Sequence, residues 1–222
     1  MQLPFTTAQF LDVFAQYNRA VWPAQLVLWV LGVAIVLVAW RGRGPGRRWF
    51  VAAGLTLLWG WTGAVYHLGF FAAINNAATW FGAATLLQAG LWIVWAWRTP
   101  ALRSAPRPGA RAALAAVLAA YAFVVYPALN VALGHHFPAM PTFGAPCPTT
   151  IATFAVLTVA APLTPWWLWV VPAGWAGIGT TAAFALGIVE DFGLAAAALL
   201  AVVARVVDRR DANTDEQRRT VP

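Results

Sequence analysis

Apolar runs long enough to cross the hydrocarbon core of a membrane recur along this chain from Val21 to Val207. A spanning helix needs roughly 20 residues for a core of about 30 Å. Apolar residues make up 61% of the 222 residues and charged residues 9%, whereas soluble domains average roughly 45–50% and 25%. The sequence therefore predicts an all-α, polytopic membrane protein that forms a helix bundle.

Clusters of Arg, Pro, Asn and His divide this apolar sequence into seven predicted transmembrane helices. The last apolar stretch, Thr149 to Val207, is too long for two spans, and it is divided at residues 162–165 and 189–191 because proline and charge end a spanning helix. The predicted spans are residues 21–40, 49–66, 78–97, 110–129, 148–161, 166–188 and 191–207, which together form one transmembrane domain over residues 1–207. The polar tail, residues 208–222, is predicted to be disordered.

The placement of arginine favours an odd number of spans. The chain has no Lys, and with seven spans all basic residues but Arg19 fall on one side, which the positive-inside rule makes cytoplasmic. These residues are Arg41, Arg43, Arg47, Arg48, Arg98, Arg103, Arg107, Arg111, Arg205, Arg209, Arg210, Arg218 and Arg219. The N-terminus is then outside and the tail cytoplasmic. The net charge of +7 is explained by topology without a nucleic-acid partner, and the absence of Lys excludes a retinal Schiff base.

Residues 6–19 have the pattern of an amphipathic helix. Phe10, Phe14 and Tyr17 recur at helical spacing opposite Asp12 and other polar residues, and a Thr that can cap the helix precedes them. The pattern favours an interfacial helix on the outer membrane surface. A simple helical lead-in to the first span is the alternative.

The side chains best able to bind a transition metal all fall in segments predicted to lie outside. They offer imidazole, thiolate and carboxylate groups, the donors that Zn or Cu prefers. The predicted metal ligands are His67, His135, His136, Cys147, Glu190 and Asp191. The fifth span is short, so the proline-rich stretch GHHFPAMPTFGAPCPTT before it is expected to be an ordered loop that dips into the protein beside a cavity.

Simpler interpretations of these residues remain open. Adjacent histidines are common in exposed loops, the single Cys147 can be a small buried residue, and Glu190 and Asp191 can interact with the dipole of the last helix. The sequence contains no HxxxH, HExxH or CxxC pattern, so none of the spacings matches a strong metal signature. One cysteine also excludes an internal disulfide.

Three stretches, FTTAQFLDVFAQYNRAVWPAQ, YHLGFFAAIN and PTFGAPCPTT, together resemble an uncharacterised family of bacterial multi-pass membrane proteins, a domain of unknown function. The resemblance spans nearly the whole chain. It implies a location in the bacterial inner membrane, and it assigns no activity, ligand or catalytic residue.

Three functions fit these observations. The first is a membrane protein with an outward-facing cavity that binds or passes a transition metal or small ligand. The second is a non-catalytic subunit or sensor that meets a partner subunit or a second copy of itself in the bilayer. The third is a membrane metal-dependent hydrolase in which Glu190 or Asp191 acts as the base. Whether the protein is an enzyme is left open by the sequence.

Overall fold

The computed structural model describes residues 3–42, 44, 46–99, 109–160 and 164–220, with side chains as far as Val207. Within these ranges the chain is helical and contains no β-strand. The helices are α1 (Thr7–Val21), α2 (Ala24–Arg41), α3 (Gly46–Trp61), α4 (Ala78–Arg98), α5 (Ala110–Ala120), α6 (Tyr126–Ala132), α7 (Pro146–Val159), α8 (Trp167–Leu186) and α9 (Phe192–Thr220). A π-helical segment, Thr62–Leu68, follows α3, and another, Tyr121–Val125, joins α5 to α6; 3₁₀ turns lie at Phe71–Ala73 and Val189–Asp191.

Four helical segments are long and apolar enough to cross a membrane: Ala24–Arg41, Ala78–Arg98, Ala110–Ala132 and Trp167–Leu186. Large apolar side chains point away from the protein on these segments, such as Val27 at 67% exposed, Trp80 at 77% and Phe184 at 74%. Four such helices suggest a membrane protein. The all-α prediction is confirmed, and each of the seven predicted segments contains a helix. The number of spans and their orientation stay predictions.

Helix α7 lies at the centre of the bundle. All 14 of its residues are buried, and it contacts α2, α5, α8 and α9. A helix that is apolar on every side is stable only where protein or lipid surrounds it, and here the surroundings are protein. Trp59 of α3 donates from Nε1 to the hydroxyl of Thr153 at 3.1 Å. The sequence predicts only a short span here, and the predicted break at residues 162–165 begins outside the described residues.

Helix α1 packs against the protein through the face that the sequence assigns to the membrane surface. A capping box begins it, in which Gln9 N donates to Thr6 Oγ1 at 3.2 Å and Thr6 N donates to Gln9 Oε1 at 2.9 Å. Phe14 and Tyr17 are 1% and 0% exposed, since they meet the aromatic rings of the chain around Tyr66. The helix prediction is confirmed, but its apolar face is covered by protein instead of lipid.

The polar tail also differs from expectation, because the backbone of α9 remains helical to Thr220. Arg43, Arg103 and Arg107, which support the predicted orientation, lie outside the described residues.

Candidate functional site

Two π-helical segments shape one end of the bundle, where α1, residues 134–145 and the turn Val189–Asp191 meet; this is the loop end. The segment Thr62–Leu68 carries Tyr66 and His67, which are 1% and 0% exposed. The segment Tyr121–Val125 precedes Tyr126, which is 1% exposed. Short π-helical insertions within α-helices are frequent at functional sites.

Asn18 of α1 fixes the loop of residues 134–145 against the bundle. Its side-chain amide donates to the carbonyl oxygens of Pro138 at 2.7 Å and Met140 at 2.8 Å. Its Oδ1 accepts a hydrogen bond from the hydroxyl of Thr142 at 2.6 Å. The second half of the loop is mostly buried, so it is ordered and packs into the protein, as the sequence predicts.

Gly144 allows this loop to approach α1 and α2 closely. Its φ of 99° lies in the left-handed region, and a Cβ there would lie 2.6 Å from Leu28 Cδ1 and 3.0 Å from Tyr17 Oη. Its carbonyl oxygen accepts from the hydroxyl of Thr62 at 3.1 Å. Burial raises the pKa of Tyr17 to about 12, so its hydroxyl stays protonated, and it accepts a hydrogen bond from Trp61 Nε1 at 2.9 Å.

Two buried carboxyl groups occupy the turn between α8 and α9. Asp191 is 3% exposed; its Oδ1 accepts from the Tyr126 hydroxyl at 2.6 Å and its Oδ2 from the Cys147 thiol at 3.5 Å. Glu190 is 1% exposed, and its Oε1 lies 2.7 Å from His135 Nδ1. The structure thus brings four of the six predicted ligands together as two pairs.

The charge at this turn is only partly neutralised. Burial raises the pKa of the Asp191 carboxyl from 3.8 to about 6, and the hydrogen bonds from Tyr126 and Cys147 oppose that rise. Repulsion by Glu190 raises the same pKa, whereas His135 lowers it. Above about pH 6 the Asp191 carboxyl is therefore ionised, and its two hydrogen bonds come from neutral groups, the Tyr126 hydroxyl and the Cys147 thiol.

A cavity of about 100 Å³ opens beside this carboxylate; it is called the Asp191 cavity. Cys147 and Asp191 form part of its wall, and exposed Thr181 belongs to it as well, so the wall extends to the protein surface. Most of the remaining wall is aromatic: Phe5, Phe10, Phe14, Tyr66, Phe71, Phe81 and Trp175. An apolar pocket with a few convergent polar groups is the arrangement expected of a small-molecule site.

A larger groove of about 490 Å³ lies on the side of the protein, between α2, α6 and the loop. Trp22, Leu26 and Phe137 in its wall are each more than half exposed, and no His, Cys, Asp or Glu lines it. Its chemistry is that of a surface facing lipid. Tyr126 borders this groove, and its hydroxyl donates to Asp191 in the wall of the smaller cavity. The Cys147 thiol and the Asp191 carboxyl therefore line the smaller cavity and not the groove.

The two remaining predicted ligands, His67 and His136, belong to neither of these pairs. His67 is buried, its ring centroid is 4.8 Å from that of Trp175, and neither ring nitrogen has a hydrogen-bond partner among the described residues. His136 is exposed. No group of three or more His, Cys, Asp or Glu side chains within the described ranges could hold a metal ion. Metal binding by the six residues therefore gains no support from the arrangement and stays a prediction.

Sequence reasoning missed the aromatic and hydroxyl groups that complete the site. The Tyr126 hydroxyl donates to Asp191, and the Tyr121 hydroxyl donates to the Glu190 carbonyl oxygen at 2.8 Å. Trp175 lines the cavity. The available signal was that both tyrosines fall in the outer half of the predicted fourth span.

The sequence profile of a family of unknown function, DUF6064, matches residues 7–216. The chain belongs to this family. The resemblance to an uncharacterised family is thereby confirmed. No curated protein and no solved structure matches the chain. The region matched by DUF6064 includes α1, the loop end and every residue of the Asp191 cavity from Phe10 to Asp191.

Proposed function

We propose that this protein is a multi-pass protein of the bacterial inner membrane that binds a small ligand in the Asp191 cavity, with that cavity facing outward. The observation that carries the proposal is the cavity itself. It combines an aromatic wall with the Cys147 thiol and the Asp191 carboxyl at the end of an apolar helix bundle.

Seven spans with the N-terminus outside account best for the placement of the arginines. Beyond the four long apolar helices, α3 continues through the π segment Thr62–Leu68, α7 is apolar, and α9 is apolar as far as Ala204. With seven spans the arginine-rich connections lie in the cytoplasm, and the loop end lies on the opposite side.

A small molecule is favoured over a transition metal and over metal-dependent hydrolysis. A catalytic zinc site needs three protein ligands and an open position. The described residues offer pairs, Cys147 with Asp191 and His135 with Glu190, in place of such a triad. A subunit or sensor role is compatible with ligand binding, since the cavity can report its occupancy to a partner in the bilayer.

Chemical labelling of Cys147 tests whether the cavity admits a small molecule. Cys147 is the chain's single cysteine and is 4% exposed. In purified protein, methyl methanethiosulfonate is expected to modify it, whereas a bulky maleimide reacts slowly.

A matched pair of variants locates the route that the reagent takes. Ala182→Leu adds bulk to the cavity wall and is expected to slow modification, whereas Ala185→Leu, on the exposed side of the same helix, leaves the rate unchanged. Rapid reaction with the bulky maleimide, or equal rates in both variants, would show that no enclosed binding cavity exists.

A further inference from the structure

The Asp191 cavity combines a buried acid with rings on the surrounding wall. Asp191 is 3% exposed, and the hydrogen bonds on its two oxygens come from the neutral hydroxyl of Tyr126 and the neutral thiol of Cys147. A buried carboxylate is costly unless a positive group balances it. Glu190 lies next to it in the chain and has already engaged the nearby imidazole, that of His135, at 2.7 Å.

The aromatic wall supplies the second half of the recognition chemistry. The faces of aromatic rings carry negative potential, and several rings around one space bind quaternary and other ammonium groups through cation–π attraction. Phe81 and Trp175 pack edge to face at 5.5 Å between centroids, and Phe10 and Phe14 do so at 5.0 Å. Rings in this arrangement border the cavity on the side of α8 and on the side of α1.

Other ligand classes fit this wall less well. An anion would be repelled by the carboxyl groups of Asp191 and Glu190. A neutral apolar molecule would leave the buried Asp191 carboxylate without a balancing positive charge, which costs free energy. A bare metal ion needs several ligating side chains, and the described residues provide no group of three.

We propose that the Asp191 cavity binds a small organic ammonium ion, whose charge lies against the Asp191 carboxylate and whose alkyl groups lie against the rings. This proposal rests on the proposed function, because it specifies the chemical class of the ligand that the same cavity takes. Asp191 is the residue that selects for positive charge, and the aromatic wall selects against strongly hydrated cations.

Competition in the unmodified protein tests the proposal without any risk of misfolding. Cys147 is labelled with the neutral 2-hydroxyethyl methanethiosulfonate at pH 8, alone or with choline or its uncharged carbon isostere, 3,3-dimethylbutan-1-ol. Choline is expected to slow labelling at least several-fold at saturation. The uncharged isostere is expected to leave the labelling rate unchanged. Equal protection by both compounds, or protection by neither while labelling proceeds, would overturn the assignment of an ammonium ligand.

Charge-matched reagents provide a second measurement. The measured quantity is the labelling rate of Cys147 by 2-aminoethyl methanethiosulfonate divided by its rate with the hydroxyethyl reagent. This ratio is normalised to the same ratio for free cysteine. The normalised ratio is expected to be about 10 or more, as in clefts that concentrate one sign of charge. Asp191→Asn should return the ratio to 1. Asp12→Asn, which removes an acid from the polar face of α1, should leave it unchanged.

The two proposals fail in different ways. If Ala182→Leu does not slow labelling of Cys147 by either small reagent, the cavity itself is not a binding site. If both reagents reach Cys147 through the cavity but show no preference for charge, the cavity binds a ligand of another class, and only the ammonium proposal is lost.

Discussion

Asp191 is the residue at which burial, hydrogen bonding and charge meet. Its carboxyl group accepts hydrogen bonds from α6 and α7 while it lies in the turn before α9. A hydrogen bond to a carboxylate contributes about 1.5–3 kcal/mol, compared with about 0.5–1.5 kcal/mol for a bond between neutral groups. The contribution of Tyr126 to stability therefore depends on whether Asp191 is ionised.

Tyr126→Phe is expected to lower the free energy of unfolding by about 1–3 kcal/mol at pH 8 and by less at pH 5, because the lost hydroxyl serves the ionised carboxyl best. Tyr121→Phe is the matched control, since the Tyr121 hydroxyl donates to a backbone carbonyl oxygen. Its cost should be the same at both pH values. Thermal unfolding in detergent measures both variants, and an equal pH dependence of the two would contradict the assignment.

The pH dependence of stability follows from the raised pKa of Asp191. With a pKa of about 6 in the folded protein against 3.8 in the unfolded chain, the folded state holds more protons between these values. Stability is therefore expected to fall as pH rises from about 4 to about 6, and to level off above that for this group. Asp191→Asn should remove this slope while the neighbouring Glu190, His135, Tyr126 and Cys147 remain. An unchanged slope in Asp191→Asn, measured by thermal unfolding across pH 4–8, would assign it to another group.

At the scale of elements, the loop end is held by close approaches between helices and loop. Helix α9 begins against the π-helical segment Tyr121–Val125 that joins α5 to α6, where Gly193 lies directly on the Tyr121 ring. Helix α7 is enclosed on every side, and α1 holds the loop through Asn18. Each of these contacts can be changed without touching the cavity wall.

Gly193→Ala is expected to destabilise the protein by about 1–3 kcal/mol, because a Cβ there would overlap the Tyr121 ring and force α9 away from it. Gly177→Ala is the control, since a Cβ at that position of α8 meets nothing within 4 Å, and alanine favours helix by about 0.5–1 kcal/mol over glycine. Thermal unfolding should shift in opposite directions for the two variants. A similar shift in both would show that α9 does not pack closely on Tyr121.

Asn18→Ala is expected to release the loop of residues 134–145, since it removes two donated hydrogen bonds and leaves the Thr142 hydroxyl without its partner. The bulky maleimide should then react with Cys147 faster than in the unmodified protein. Gln16→Ala, which removes only an exposed hydrogen bond to Asp12, should not change the rate. An unchanged rate in Asn18→Ala would show that other contacts hold the loop.

For the whole molecule, the side of the membrane on which the loop end lies decides which solutes can reach the Asp191 cavity. Phe137 in the loop is 52% exposed and Trp97 at the end of α4 is 74% exposed. If seven spans are present, these two side chains lie on opposite sides of the membrane.

Single cysteines at these positions test the orientation. In a Cys147→Ala background, Phe137→Cys is expected to react with an impermeant maleimide in intact spheroplasts, and Trp97→Cys only after lysis. Labelling of both in intact spheroplasts, or of Trp97→Cys alone, would overturn the orientation proposed from the arginines.

Much of the architecture follows from the sequence, because hydrocarbon thickness and backbone hydrogen bonding constrain an apolar chain strongly. Long apolar runs predict the four long helices, the Thr that precedes residues 7–21 predicts the start of α1, and the charged pair Glu190 and Asp191 predicts the break between α8 and α9. The sequence predicts that His135, Cys147, Glu190 and Asp191 approach one another on the outer side. It does not predict that they form the separate pairs His135 with Glu190 and Cys147 with Asp191, since the pairing depends on how the loops pack.

Sequence alone determined that the chain is helical and apolar, because those properties depend on composition and local periodicity. Tertiary structure decided which polar groups meet. The π-helical segments reorient Tyr66 and Tyr126, the loop folds inward on Asn18, and α7 lies at the centre with no free face. These outcomes depend on packing between segments far apart in the chain. The periodicity of a segment does not predict how its side chains fit against those of another segment.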